Sequence, residues 1–249
     1  YDPAKKPHPT GRIFSLEPGA ALGKAVRLQV EAESPCAAIK RVEYVGHHED
    51  VNYEGDGRYT QWHYHFFHGQ ITHHLGTATE APYALTWDTS WVPDQKQPMA
   101  LAARIIDGTG MIYMTEAVTD LRLDRDGFSV ELCKPYDVPK KWVTRSGEKE
   151  ERFVVTGDLQ KAVAARLVWS SWSPGYMRGV YINGEKVFDR EGPKYQYYFH
   201  QVTLDDIGAL RGGVNILKTG KTPKIDGHMV HGMEVNWPGI MVLIQYADK

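Results

Sequence analysis

The chain has 249 residues, enough for one large domain or two of roughly 100–130 residues. It is 42% hydrophobic and 24% charged, an ordinary globular composition that excludes wholesale disorder, a collagen-like fibre and a disulfide-only miniprotein. Lys and Arg number 29 against 31 Asp and Glu, so the net charge is −2, and no global positive field draws nucleic acid or an anionic membrane. The longest apolar runs, such as Ile240–Ile244, fall far below the ~20 residues of a membrane helix.

The chain starts at Tyr1, which suggests a trimmed start, and a removed signal peptide would leave no trace. From there the first half reads as strands. Ala25–Glu31 and Ile39–Val45 alternate apolar and polar residues, and Tyr83–Trp87, Met99–Ile106 and Met111–Met114 follow, with turns at Gly108 and Gly110. Short, regularly spaced strands with Gly and Pro turns predict a β-sandwich. Cys36 and Cys133, 97 positions apart, fit no CxxC metal pattern; two buried free thiols are expected, with a strand-to-strand disulfide as the alternative.

The order Ala25-Val26-Arg27-Leu28, Ile39 to Tyr44, Ala81-Pro82-Tyr83-Ala84-Leu85-Thr86-Trp87-Asp88-Thr89-Ser90 and Leu101 to Gly110 resembles bacterial immunoglobulin-like domains over about residues 12–124. The resemblance implies a secreted or cell-surface setting, extracellular or periplasmic. The stretch 46–76 departs from it, being much longer than the family's usual hairpin.

That insertion holds seven of the 11 His residues of the chain, all between positions 47 and 74. It opens with an acidic loop. Asp50, Asn52, Glu54 and Asp56 place oxygen side chains at alternate positions around Gly55 and Gly57, the pattern of a standalone calcium loop. Gln61 stands where an EF-hand has its bidentate Glu, and no helical pattern flanks the loop. The alternative is a solvated acidic turn. On a strand, His63 and His65 share one face and Trp62, Tyr64 and Phe66 the other. Two imidazoles so placed suit zinc or copper, with His68, His47, His48, His73 or His74 as further ligands. A sugar- or carboxylate-binding His surface and plain packing are the competing readings.

Residues 124–130 read as a short hinge, so the expected domains are 1–124 and 125–249. The second half carries strands at Arg152–Val155, Ala164–Trp169, Val180–Ile182, Tyr195–Val202, Val214–Lys218, Gly232–Val235 and Gly239–Tyr246. Val180-Tyr181-Ile182-Asn183-Gly184-Glu185-Lys186-Val187 is strand, Asn-Gly turn, strand. With Leu210-Arg211-Gly212-Gly213-Val214-Asn215-Ile216-Leu217 it resembles the galactose-binding-like jelly roll of accessory domains in carbohydrate-active enzymes. The fold class expected is therefore all-β, two sandwiches in series.

Exposed Trp and Tyr stack on pyranose rings, which makes Trp62, Tyr64, Trp172, Tyr176, Tyr195, Tyr197 and Trp237 candidate carbohydrate-binding residues, whereas Trp87 and Trp169, inside strand patterns, are expected in the core. His228 or His231 could line the same cleft; with Glu234 they also spell H-x-x-H-x-x-E, though the surrounding Gly residues place that run on a loop entering a strand. No Walker A loop, GxGxxG, HExxH or GxSxG occurs. The function expected is a secreted carbohydrate-binding accessory protein whose partner is a polysaccharide or oligosaccharide, with calcium and zinc or copper as candidate cofactors. The alternatives are a metal-dependent enzyme on extracellular polysaccharide, using His63, His65 and His68 for the metal and Tyr64 or Glu49 for proton transfer, and a structural interaction module.

Overall fold

The structure is a computed structural model that describes residues 7–49, 75–236 and 238–247. Among these every regular element is a strand or a short 3₁₀ turn. No helix among the described residues is long and apolar enough to cross a membrane. The chain divides into two compact units, Tyr1–Asp126 and Gly127–Lys249.

In the first unit the strands are β1 (Thr10–Ile13), β2 (Ala21–Leu22), β3 (Ala25–Leu28), β4 (Val30–Glu33), β5 (Ile39–His47), β6 (Gly76–Ala78), β7 (Leu85–Asp88), β8 (Met99–Asp107), β9 (Ile112–Met114) and β10 (Val118–Leu123). A six-stranded sheet runs β2-β10-β8-β5-β6, with β9 on β8; β1 pairs β4 and β3 pairs β7 as two small ribbons. The expected single strand 25–31 is two, because the chain changes partner at Gln29, leaving β7 for β1. Alternation in β3 sends Val26 and Leu28 inward, where they join Trp87, Tyr44, Leu101, Ala103 and Ile105 in one core. The Tyr44 hydroxyl donates to the Tyr83 carbonyl at 2.6 Å, and the Tyr83 hydroxyl donates to the Ile39 carbonyl at 3.1 Å. Thr89 donates to the Gly23 carbonyl at 2.8 Å. The residues that carry the immunoglobulin-like resemblance thus tie loops to strands.

The second unit holds β11 (Phe128–Cys133), β12 (Lys149–Val155), β13 (Ala162–Trp172), β14 (Val180–Ile182), β15 (Glu185–Phe188), β16 (Tyr197–Thr203), β17 (Gly213–Thr219), β18 (Glu234–Val235) and β19 (Met241–Ala247). One sheet runs β11-β19-β13-β16 with β18 on β13; the other runs β12-β17-β14-β15. Leu167, Trp169, Val242 and Ile244 of the first face Phe153, Val155, Ile182 and Leu217 of the second, which makes this unit a sandwich. Each such side chain, fully buried, contributes roughly 1.5–3 kcal/mol. Trp169 stacks on His200, its partner on β16, with ring centroids 4.0 Å apart.

Two expectations are corrected. The segment 124–130 is not a hinge throughout, since β11 begins at Phe128 and pairs with β19 at once. Cys36 and Cys133 are both free thiols, but only Cys133 is buried; Cys36 is exposed.

Candidate functional site

Strands β13 and β16 are antiparallel, so the end of one meets the start of the other, and register sets Trp172 beside Tyr197. Their rings lie 4.8 Å apart, tilted by 58°. On its other edge Trp172 pairs with Glu234 of β18. Gly232 makes the approach to β18 possible. It has φ +84, and a Cβ there would sit 2.6 Å from the Arg145 backbone nitrogen. The preceding His231 ring consequently reaches Trp172 edge-on, at 6.4 Å, with Nε2 3.7 Å from the Glu234 carboxylate.

Beyond the strand ends two loops close the site. Ser173 follows β13 at φ 54 and Tyr195 precedes β16 at φ 59, both left-handed, a conformation that is a genuine outlier for a bulky side chain such as tyrosine. The Ser173 hydroxyl accepts the Tyr195 N–H at 2.6 Å, and the Ser173 N–H donates to the Gln196 carbonyl at 2.9 Å. The Tyr176 and Tyr195 hydroxyls share a hydrogen bond of 2.7 Å. Tyr195 is nevertheless 59% exposed, the most exposed aromatic ring among the described residues. Its ring lies parallel to His231, 7° between planes and 6.5 Å between centroids. Lys194 sets its ammonium 5.0 Å over the Tyr176 ring.

The result is an exposed tyrosine anchored at backbone and hydroxyl, flanked by His231, Trp172 and Tyr197. Lys194 supplies N–H donors and Glu234 an acceptor at its margin. Such a surface can accept a ligand with one apolar face and a rim of hydroxyls.

Of the sequence-predicted aromatics, Trp172, Tyr195 and Tyr197 come together here. Tyr176 lies behind them, buried, and acts as support rather than as a stacking face. Tyr195 stands outside β16, so the expected strand alternation with Tyr197 does not set its direction. His228 does not join His231 and Glu234; it closes a tight turn on Ile225 instead. Ser173 and Lys194 escaped the sequence reading, although the Ser173-Pro174-Gly175 and Gly192-Pro193 turns mark the loops that carry them.

Of the insertion, only its margin is described. His47 is exposed at the end of β5, and His48 is buried with its ring 5.6 Å from Trp87. Gln95 clamps the Glu49 backbone, accepting its N–H at 2.9 Å and donating to its carbonyl at 2.7 Å. His63, His65, His68, His73, His74, Trp62, Tyr64, Asp50, Asn52, Glu54, Asp56 and Trp237 lie outside the described residues. Among the described residues no three His, Cys, Asp or Glu side chains are grouped to hold a metal ion.

No family model and no curated protein matches the chain. It is similar in structure to BuGH86 in complex with neoagarooctaose, with 11% identity and a TM-score of 0.36, over 98% of this chain and 35% of that one. It thus spans about a third of that structure's length. It is also similar to the fibronectin(III)-like modules of CbhA from Clostridium thermocellum, at 14% identity and a TM-score of 0.31, covering 78% of this chain and 79% of that one. Carbohydrate-binding modules of the β-sandwich superfamily match at 9% identity and a TM-score of 0.26, over 98% of both chains. What the chain's own strands establish is its class: an all-β protein of sandwich type.

Proposed function

We propose that the second unit binds a saccharide on the surface formed by Tyr195, His231, Trp172 and Tyr197, in a secreted carbohydrate-binding accessory protein whose chain runs from an immunoglobulin-like domain into a galactose-binding-like jelly roll. The observation that carries this reading is the anchoring of Tyr195. An exposed aromatic ring normally keeps its rotamer freedom and surrenders it on binding, at a cost of about 0.5–1.5 kcal/mol. Tyr195 has surrendered it already through Ser173 and Tyr176. A pre-set aromatic platform at a sheet end, with charged hydrogen-bonding groups at its margin, suits a pyranose: its C–H face lies on the ring and its hydroxyls bond to the groups around it. In this reading the chain works outside the cell, where polysaccharides are met.

The test is electrophoresis through gels cast with a panel of polysaccharides. The unaltered protein is expected to be retarded by at least one, with Tyr195→Ala and Trp172→Ala each weakening retention roughly tenfold, the loss of one aromatic contact. Tyr195→Phe keeps the ring and should retain most of the binding. Free migration of the unaltered protein through every gel would overturn the reading.

A further inference from the structure

Resting on that saccharide reading, we infer that the ligand is an anionic saccharide, bearing carboxylate or sulfate groups, and that the loops around Tyr195 supply the countercharge. Strand directions bring four loops to one end of the second unit: 134–148, 173–179, 189–196 and 220–240, the last including β18. β11, β13, β15 and β17 end there, and β12, β14, β16 and β19 begin there. These loops carry nine Lys or Arg against six Asp or Glu, in a chain with 29 basic and 31 acidic residues. The site's end is thus positive within a chain that is net negative.

The ion pairs sharpen this asymmetry. Three of the six loop acids turn to cations on the strands. Asp137 meets Arg152 at 3.1 Å, Glu148 meets Lys218 at 3.0 Å, and Asp189 meets Lys186. Those contacts draw negative charge away from the mouth of the site. Six of the nine loop cations form no matching pair: Lys140, Lys141, Arg145, Lys194, Lys221 and Lys224 are exposed and make no ion pair with a described residue.

Three of them are tied to the aromatic platform. Lys194 is the neighbour of Tyr195 and lies over Tyr176. Arg145 packs its backbone against Gly232, next to His231. Lys221 precedes Thr222, whose hydroxyl donates to the Tyr176 carbonyl at 2.9 Å and whose N–H donates to the Thr144 carbonyl at 3.1 Å. Exposed cations without ion-pair partners around an aromatic surface raise the positive potential there. Planar carboxylate and tetrahedral sulfate are what Arg and Lys bind as charge-assisted partners. The near-zero net charge of the chain conceals this local field.

The experiment uses the whole chain and matched probes. Polygalacturonate is compared with its fully methyl-esterified form, and κ-carrageenan with its desulfated form, by isothermal titration at low and physiological salt; single-stranded DNA serves as a polyanion without pyranose rings. We expect at least one charged polymer to bind at least tenfold tighter than its neutral counterpart, and the pair that shows the difference identifies carboxylate or sulfate as the recognised group. The Arg145→Gln, Lys194→Gln double variant should lose about tenfold at low salt, each exposed charge contributing a few-fold, and affinity should fall as salt rises. Tyr195→Ala should weaken binding roughly tenfold, the loss of one aromatic contact.

Equal binding of charged and neutral partners, weakened in Tyr195→Ala, would overturn the anionic preference and leave the saccharide reading standing. Binding of single-stranded DNA as tight as that of the polysaccharides and indifferent to Tyr195→Ala would overturn both in favour of charge alone. No binding to any of the four polymers overturns the anionic inference, and the wider gel panel then decides the saccharide reading separately.

Discussion

The Asn183 side-chain amide donates to the Asn215 side-chain carbonyl at 2.7 Å, joining a turn to a strand residue 32 positions later in the chain. Asn183 occupies the Asn-Gly turn between β14 and β15 at φ 52, where asparagine tolerates the left-handed conformation. Its amide also donates to the Ala209 carbonyl at 2.8 Å, and its side-chain carbonyl accepts the Ile216 N–H at 3.1 Å. Asn215 is fully buried; its amide donates to the Arg211 and Gly213 carbonyls at 2.7 and 2.9 Å, and its carbonyl accepts the Arg211 N–H at 2.9 Å. The Asn-Gly turn and the Leu210–Leu217 run are therefore one hydrogen-bonded device that shapes the loop before β17.

Asn215→Ala should cost about 3 kcal/mol of stability, because it removes the partner of the Arg211 N–H, the Arg211 and Gly213 carbonyls and the Asn183 amide, at roughly 0.5–1 kcal/mol each. Asn183→Ala, with a partly exposed side chain, should cost less. Urea unfolding checks both, and equal, negligible shifts in midpoint would disprove the account.

His200 should make the protein acid-sensitive. Burial against Trp169 pushes its imidazole down to about 3 from an ordinary 6.5. The unfolded chain binds this proton below pH 6.5 and the folded one does not until about pH 3. Stability therefore falls as pH drops through that window, by up to about 1.4 kcal/mol per pH unit. In His200→Phe the slope should flatten, even though Ser171 loses its partner at 3.1 Å and the overall stability drops.

Glu151 should act in the opposite sense. It is buried inside the sandwich with the Ile240 N–H donating to its oxygen at 3.1 Å. Burial raises its pKa well above the ordinary 4.5, against the smaller lowering effect of that hydrogen bond. The folded state keeps the proton that the unfolded state releases above pH 4.5, so stability falls as pH rises from there toward the folded pKa. Glu151→Gln keeps the acceptor for Ile240 and should stabilise the protein at pH 7 while changing little at pH 4. Between 4.5 and 6.5 the two groups oppose each other, so each variant should unmask the slope of the other in pH-dependent unfolding.

Tyr176→Phe isolates the anchoring of Tyr195. The buried ring stays and the 2.7 Å hydroxyl contact is lost. Saccharide affinity should weaken about threefold, the loss of one hydrogen bond of ~0.5–1 kcal/mol, while the unfolding midpoint moves little. A large stability loss with unchanged affinity would mean that the contact serves folding alone.

The all-β class, the alternating faces of β3, the burial of Trp87 and Trp169 and the Asn-Gly turn were legible in the linear order of residues. Each depends on a period of two or on the dihedral preference of one or two neighbours. The aromatic composition of the site was legible too, in Trp172, Tyr195 and Tyr197. What it could not reveal was their arrangement. Tyr195 faces outward because Ser173 and Tyr176, on another loop, fix it in a left-handed conformation. His231 reaches Trp172 because β18 joins the edge of β13. Tyr176 reads like its exposed neighbours and is buried. Glu151 sits in an alternating strand like any charged residue, and only the opposing sheet removes it from water. Local periodicity is written along the chain; loop-to-loop contacts depend on strand order and register, which are decided only when distant segments close on a common core.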